Sequence, residues 1–233
     1  MIRKKLLILI VALVAFGLGL VATLRSETPG SGFASKLAPQ FFAGFGGDAE
    51  ALDNALKTAG DAIAANPEDA DATVWHGAGL FFKCGQAFQG GDMETGMDLY
   101  RKALAEMDKA VELEPDNVGV RSLRGGFLLQ ATPHMEGNPD TGQLVELALS
   151  DYEHIYQLQK SGLDKLSTHG RGELLFGIAN ANHQLGRDAK AKEWFQRISD
   201  EMKDTSYQKR ADIFLKTGSL TAEQSVCEGC HSN

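Results

Sequence analysis

Two cysteines and a histidine near the C-terminal end of the sequence have the types and the spacing needed to anchor a metal-bearing cofactor. Cys227 and Cys230 lie three positions apart and His231 follows directly, which gives the pattern C-x-x-C-H. Thiols at this spacing can each form a thioether bond to one vinyl group of a haem, while the adjacent imidazole reaches the iron. In an exported protein the pattern predicts one covalent haem c, with Cys227 and Cys230 as anchors and His231 as the proximal iron ligand.

Three other interpretations of the same residues stay open. A zinc site would need a fourth ligand beside this trio, either Cys84 or a distant histidine. A dithiol redox site would use Cys227 and Cys230, although such motifs normally stand at a helix N-terminus in a fold that contains strands. The third is a chance occurrence of the pattern, with a simple disulfide. Haem attachment is favoured because the N-terminal residues predict export.

A second axial ligand has to come from elsewhere in the chain, unless the iron is five-coordinate. The candidate side chains are His76, His134, Met135, His154, His169 and His183. We rank His169 first because it lies close in sequence to the motif, and because the nearby Arg171 is a candidate partner for a haem propionate. His134 is the alternative, since it stands beside Met135 in a loop between two prolines.

Residues 1–25 have the features of an export signal. Arg3, Lys4 and Lys5 precede an uncharged apolar run from Leu6 to Leu24. That run is long enough to span a membrane, and no clean small-x-small cleavage pattern follows it. The basic residues before it should stay in the cytoplasm. We therefore expect a single-pass inner-membrane anchor with the bulk of the chain facing the periplasm; the alternative is export after cleavage.

The charge balance argues against nucleic acid as a partner. Of 23 basic side chains, four lie in residues 1–25, so 19 remain against 31 acidic ones and the exported part has a formal charge of −12. Such a surface repels phosphate backbones. A basic protein, such as a soluble cytochrome, is the kind of partner that this charge favours.

Small residues recur at fixed spacing in the middle of the chain, where apolar positions have a helical period and no strand alternation occurs. The first set is Ala55, Ala62 and Pro67, and the second is Ala103, Ala110 and Pro115. Both resemble the second helix of a tetratricopeptide (TPR) repeat. First-helix candidates follow each proline at 70–82 and 118–130, with Gly77 and Gly125 at the small position, and a further unit is indicated by Gly177, Gly186, Ala189 and Trp194.

The resemblance implies an all-α, TPR-like helical-hairpin solenoid with a concave groove for a protein partner. We divide the chain into an anchor (1–25), a flexible linker (26–40), a solenoid of about four repeats (41–200), a capping helix and linker (201–220) and a haem-attachment tail (221–233). Two of the repeats are expected to carry inserted loops, at 83–92 and 131–140. Such insertions generally emerge on one face, so they are candidates for building a site together.

The tail resembles the opening of a small cytochrome c, in which a short helix leads into C-x-x-C-H. Since only Ser232 and Asn233 follow the motif, we expect the haem pocket to come from the helical body or from a partner. The expected function is electron transfer to or from a redox protein docked in the groove. The main alternative is a non-redox TPR protein of cytochrome maturation or complex assembly. Catalysis is not expected, and peroxide reduction at a five-coordinate haem is the third alternative.

Overall fold

The computed structural model describes residues 32–135 and 137–220, and these residues form helices and turns with no strand among them. The α-helices are α1 Gly32–Phe45, α2 Ala49–Ala65, α3 Ala70–Gln89, α4 Met93–Leu113, α5 Val118–Ala131, α6 Thr141–Gln159, α7 Thr168–Gln184, α8 Asp188–Glu201 and α9 Ser206–Thr217. Short 3-10 helices follow α5 (Thr132–His134) and α6 (Lys160–Lys165). The predicted all-α class is confirmed for this part of the chain.

Most helices begin at a side chain that caps their free backbone N–H groups. In each case an oxygen of the capping residue accepts a hydrogen bond from the backbone N–H three positions on, which supplies one of the acceptors that a helix start lacks. The capping residues are Asp48, Asp69, Asp92, Asn117, Ser167 and Thr205. At the other end, α9 stops at Gly218, which has the left-handed conformation.

Consecutive helices pack side by side, and glycines permit their closest approaches. A β-carbon on Gly77 in α3 would lie 3.0 Å from Met107 and 3.1 Å from the Ala103 carbonyl oxygen in α4. Tyr152 of α6 fills the space against two other glycines, Gly125 in α5 and Gly177 in α7. These are the small positions that the repeat pattern indicates, so the pattern does mark where helices meet.

Helices α5 and α7 lie inside the stack rather than along an open surface. Every residue from 120 to 129 in α5 is buried, as is every residue from 172 to 182 in α7. A helix that is buried on all sides belongs to a protein interior. The middle of these two helices therefore does not line an open groove, which differs from the expected concave surface.

A polar cluster is enclosed between three of the helices. The Asp151 carboxylate of α6 is fully buried and accepts hydrogen bonds from Arg121 and Arg124 of α5, at 2.7 Å in each case. Arg124 also donates to Asp108 of α4. Burial of the guanidinium opposes its charge, but its bonds to Asp151 and Asp108 outweigh that effect and raise the pKa of Arg124. The cluster ties α4, α5 and α6 together.

Two segments predicted as irregular are helical. Helix α1 occupies residues 32–40 of the predicted linker, because Leu37, Phe41 and Phe45 form a buried stripe that packs on the next helices. The glycine-rich segment 83–92, predicted as an inserted loop, continues α3 as far as Gln89. Tertiary packing overrides the helix-breaking tendency of glycine there, since Cys84 is buried and Phe88 lies over Gly96 of α4.

In the second predicted insertion, 131–140, Ala131 ends α5 and Thr132–His134 form a 3-10 turn, whereas Met135 and the described residues 137–140 belong to no helix. The predicted anchor 1–25 and haem-attachment tail 221–233 lie outside the described residues. Among the helices that the structure does describe, none has the length and apolar character that a bilayer crossing requires.

Candidate functional site

The motif residues Cys227, Cys230 and His231 fall outside the described part of the chain. The described residues therefore show only which side chains of the helical body are available to a haem attached at that motif. Within residues 32–135 and 137–220, no cluster of three or more histidine, cysteine, aspartate or glutamate side chains is arranged to hold a metal ion.

Two of the candidate histidines are engaged by carboxylates on neighbouring helices. Nδ1 of His76 lies 2.6 Å from a carboxylate oxygen of Glu106, and Nε2 of His154 lies 2.7 Å from one of Asp116. An iron ligand needs one free ring nitrogen, which would be Nε2 in His76 and Nδ1 in His154. Both rings are held by other parts of the chain, His76 by α4 and His154 by the turn that follows α4.

His169, the candidate ranked first by sequence, belongs to a hydrogen-bonded group between α7 and α9. The Tyr207 hydroxyl lies 2.6 Å from a Glu173 carboxylate oxygen and 2.9 Å from Nδ1 of His169. Because the hydroxyl has a single proton and donates it to Glu173, its oxygen is placed to accept from Nδ1 of His169. The second ring nitrogen, Nε2, is buried.

Arg171, the predicted propionate partner, is paired within the protein. Its guanidinium donates to Glu201, and Glu201 also accepts from Arg197 at 2.8 Å. Partial burial disfavours the charged carboxylate, but the bonds from Arg197 and Arg171 prevail and lower the pKa of Glu201. A propionate at Arg171 would have to displace this carboxylate or share the guanidinium with it.

His134 lies in the loop after α5 and is exposed to solvent. Desolvation by the surrounding chain lowers its pKa, which favours the neutral imidazole that binds metals. The adjacent Met135 is partly buried against the core. The structure therefore leaves the alternative candidate accessible.

His183 sits near the end of α7 and faces α9. Its ring packs edge-on against Phe214, with 4.8 Å between the ring centroids. Nδ1 of His183 is buried, lies 4.0 Å from a carboxylate oxygen of Asp188 and has no hydrogen-bond partner among the described residues. The side chain as a whole keeps 29 % of its surface exposed. Sequence spacing alone gives no reason to single out this residue.

Side-chain contacts bring the predicted loop to the same end of the stack as His183. The next residue, Gln184, accepts a hydrogen bond from the Thr132 hydroxyl at 2.7 Å and donates to the Leu129 carbonyl oxygen at 3.0 Å. Thr132 opens the 3-10 turn that contains His134. His134 and His183 are therefore brought to one end of the molecule, and His169 is not.

The donor chemistry at this end suits iron, because neutral imidazoles and a thioether are the usual axial ligands of a c-type haem. Cys84, the fourth ligand of the zinc alternative, is buried in α3, and burial raises the pKa of its thiol to about 11. Among the described residues it belongs to no group arranged to hold a metal ion.

Comparison of this chain with protein-family models, with curated proteins and with solved structures finds no match.

Proposed function

We propose that this protein is a membrane-tethered, periplasm-facing monohaem c-type cytochrome built on a TPR-like scaffold. The observation that carries the proposal is the pattern Cys227-x-x-Cys230-His231 in a chain that begins with a basic and apolar segment. Cys227 and Cys230 would hold the haem through thioether bonds, and His231 would bind the iron. The haem supplies one-electron chemistry, and the chain fixes its position.

The arrangement of helices supports a TPR-like scaffold. Helices α1 to α8 form four successive hairpins, of which three have three-residue connections and the third, α5 and α6, is joined through residues 132–140; α9 follows as a cap. Small residues stand at the close approaches, at Gly77, Gly125 and Gly177. Stacked hairpins of this kind give a rigid body with a large surface for a protein partner.

The expected partner is a redox protein with a basic docking surface. The exported part of the chain has 31 acidic against 19 basic side chains outside residues 1–25. Complementary charge accelerates the encounter of two proteins and aligns them, and both effects suit transient electron exchange. Since the middle of α5 and α7 is enclosed, docking would use the outer helices and the ends of the stack.

The test is whether haem stays on the chain after denaturation. The full chain and Cys227→Ala are expressed with the cytochrome c maturation machinery, separated on a denaturing gel and stained for haem peroxidase activity. We expect a stained band at the mass of the chain that weakens strongly in Cys227→Ala and disappears in the double variant with Cys230→Ala.

A chain without a stained band, present at normal amounts in the membrane fraction, would contradict the proposal. It would favour the alternative of a TPR assembly protein, whose partner binding should survive removal of residues 227–233.

A further inference from the structure

The second hairpin, formed by α3 and α4, is longer than the hairpins beside it. Helix α3 has 20 residues and α4 has 21, whereas α1 and α5, the first helices of the neighbouring hairpins, have 14 each. Gly77 and Gly125 mark equivalent close approaches and are each the eighth residue of their helix. Residues 84–89 of α3 therefore have no counterpart in α5, and they lengthen α3 by about 9 Å. We call residues 84–100, the joined end of this hairpin, the hairpin tip.

The hairpin tip is held in shape by its own packing. Phe88 covers Gly96, where a β-carbon would lie 2.4 Å from the ring. Gly91 makes the turn with a φ of 83°, a left-handed conformation that glycine adopts without strain. Asp92 caps α4 by accepting a hydrogen bond from the Thr95 backbone N–H at 3.0 Å. A surface that is already in shape loses less conformational entropy on binding than a flexible one.

Two methionines of the hairpin tip are exposed to solvent. Met93 exposes 61 % of its surface and Met97 exposes 38 %. Because they are four residues apart in α4, they lie on the same face of the helix. Leu158 of α6 is the one other exposed large hydrophobic side chain in the part of the chain that the structure describes. Methionine is common at protein interfaces, since its flexible and polarizable side chain adapts to a partner.

The methionines are surrounded by negative charge. From residue 84 to residue 100 the sequence contains three acidic side chains and no basic one, namely Asp92, Glu94 and Asp98. All three are exposed. Asp98 pairs with Lys102 one turn further along α4, at 2.7 Å. The tip therefore combines an apolar contact area with an acidic rim.

The hairpin tip projects from the acidic part of the helical stack. Residues 32–159, which include α1 to α6, contain 20 acidic and 8 basic side chains, so their formal charge is −12. Residues 160–220 contain 8 acidic and 11 basic side chains, so their formal charge is +3. A basic surface is therefore attracted to the part of the stack that carries the tip, and an acidic surface is repelled.

The second predicted insertion contributes charge next to the tip. Tyr100, the last residue of the tip, is buried, and burial raises the pKa of its hydroxyl. The Asp140 carboxylate, at the end of that insertion, adds to this rise through its negative charge. Asp140 therefore lies close enough to Tyr100 for a charge effect, and the carboxylates at this end come from both segments.

We propose that the hairpin tip is a docking element for a basic protein whose positive side chains surround an apolar patch. Met93 and Met97 would contact the apolar patch, and Asp92 and Glu94 would face the positive side chains. The same charge would repel an acidic protein, a nucleic acid or an anionic membrane surface. The inference rests on the proposed function for the basic partner that both expect, and it does not depend on the haem.

The test measures binding of a basic soluble cytochrome c to the full chain. An acidic soluble cytochrome serves as the control probe, and isothermal titration calorimetry is carried out at low and at high ionic strength. We expect the basic probe alone to bind. Its affinity should fall as salt is added, because salt screens the charges around the tip.

Replacement of the two methionines tests the apolar contact. Met93→Ser combined with Met97→Ser should weaken binding of the basic probe roughly tenfold or more, because a few apolar anchors commonly supply most of the binding energy. Leu158→Ser is the matched control, since it removes an equally exposed apolar side chain outside the tip, and it should leave the affinity unchanged. Circular dichroism checks that both variants are folded.

A charge reversal tests the acidic rim. Glu94→Lys and Glu193→Lys change the net charge of the chain by the same amount, and both positions are exposed in helices. Glu193 lies in α8, away from the tip. Only Glu94→Lys should weaken binding, whereas a general attraction to an acidic chain would respond equally to both changes.

Carbodiimide cross-linking locates the contact, because the reagent joins carboxylates to lysine amines in amide bonds. Peptides linked to the basic probe should contain Asp92, Glu94 or Asp140. Links confined to residues outside the tip and this loop would place the contact elsewhere and overturn the inference.

The remaining outcomes separate this inference from the proposed function. The docking element is overturned if the basic probe does not bind at low ionic strength, if the methionine variant binds it equally well, or if the tip instead pairs two copies of the chain in analytical ultracentrifugation. Haem is counted in the same samples. A haem-free chain that binds the probe through the tip would contradict the cytochrome proposal and keep the docking element, and a haem-carrying chain that binds without the tip would do the reverse.

Discussion

At the scale of single residues, the glycines of the hairpins decide how closely the helices approach. A β-carbon on Gly177 would lie 2.5 Å from ring atoms of Tyr152, which is itself buried and cannot swing away. Gly177→Ala should destabilise the fold by about 1–3 kcal/mol, because overpacking outweighs the better helix propensity of alanine. The change in the free energy of unfolding can be measured by urea unfolding followed by circular dichroism.

The matched control for that change is Gly85→Ala. Gly85 also lies inside a helix, but a β-carbon there would meet nothing within 4 Å. Only the helix propensity changes at this position, so the free energy of unfolding of this variant should rise by up to about 1 kcal/mol. The same chemical change is thus expected to have opposite signs at the two sites, and equal effects would refute the packing argument.

The buried Asp151 carboxylate is the centre of the polar cluster in the core. Asp151→Asn removes the carboxylate partner of buried Arg121 and leaves buried Arg124 with only the half-exposed Asp108, and such a loss typically costs about 3–5 kcal/mol. Asp108→Asn removes a partner of the same Arg124, but Asp108 is half-exposed, so the cost should stay below about 1 kcal/mol. Similar decreases in melting temperature for Asp151→Asn and Asp108→Asn, measured by thermal unfolding, would contradict this account.

Cys84 should make the fold sensitive to alkali. Burial raises the pKa of this thiol from 9.0 to about 11, so the unfolded chain loses the proton first as the pH rises. Unfolding is then favoured progressively between those two values. Cys84→Ala should lose less stability than the parent chain over this interval. The comparison is best made with Cys227 and Cys230 replaced in both chains, because thiols there would also titrate.

At the scale of elements, α9 closes the stack and fixes where the chain leaves it. Phe214 is buried and stacks on Phe195 of α8 with 4.1 Å between centroids. Phe214→Ala should cost about 3–5 kcal/mol through the cavity that it leaves. Lys216→Ala, two positions on and exposed, should change stability by less than about 0.5 kcal/mol. Differential scanning calorimetry would show whether α9 unfolds with the rest or separately.

Described segments that the sequence predicts to be helical are helical in the structure, whereas two segments that it predicts to be irregular are largely helical as well. The first-helix candidates at 70–82 and 118–130 match α3 and α5, because periodic apolar residues and capping side chains mark them. The helical state of segments 32–40 and 83–92 is harder to predict, because the proline and the glycines in them suggest an irregular chain. Their helical state depends on packing partners that are distant in sequence, such as the contact between Phe45 and Phe127.

At the scale of the whole molecule, the chemistry of the candidate site can be read from the sequence but its placement cannot. The pattern C-x-x-C-H predicts Cys227 and Cys230 as anchors and His231 as proximal ligand from residue type and spacing alone. Which histidines the body leaves accessible depends on contacts between helices that are distant in the sequence. Tyr207 and Phe214 of α9, for example, contact His169 and His183 of α7, and no local sequence signal marks these contacts.

The central claim is that the helical body carries one covalent haem on its tail, and a pyridine haemochrome assay tests it most directly. The full chain is purified after expression with the cytochrome c maturation machinery, and haem is counted per chain beside Cys227→Ala. The account predicts one haem per wild-type chain, with the spectrum typical of two thioether bonds, and a loss or a shift toward a single bond in the variant. A wild-type chain that is folded, by circular dichroism, and free of haem would contradict it.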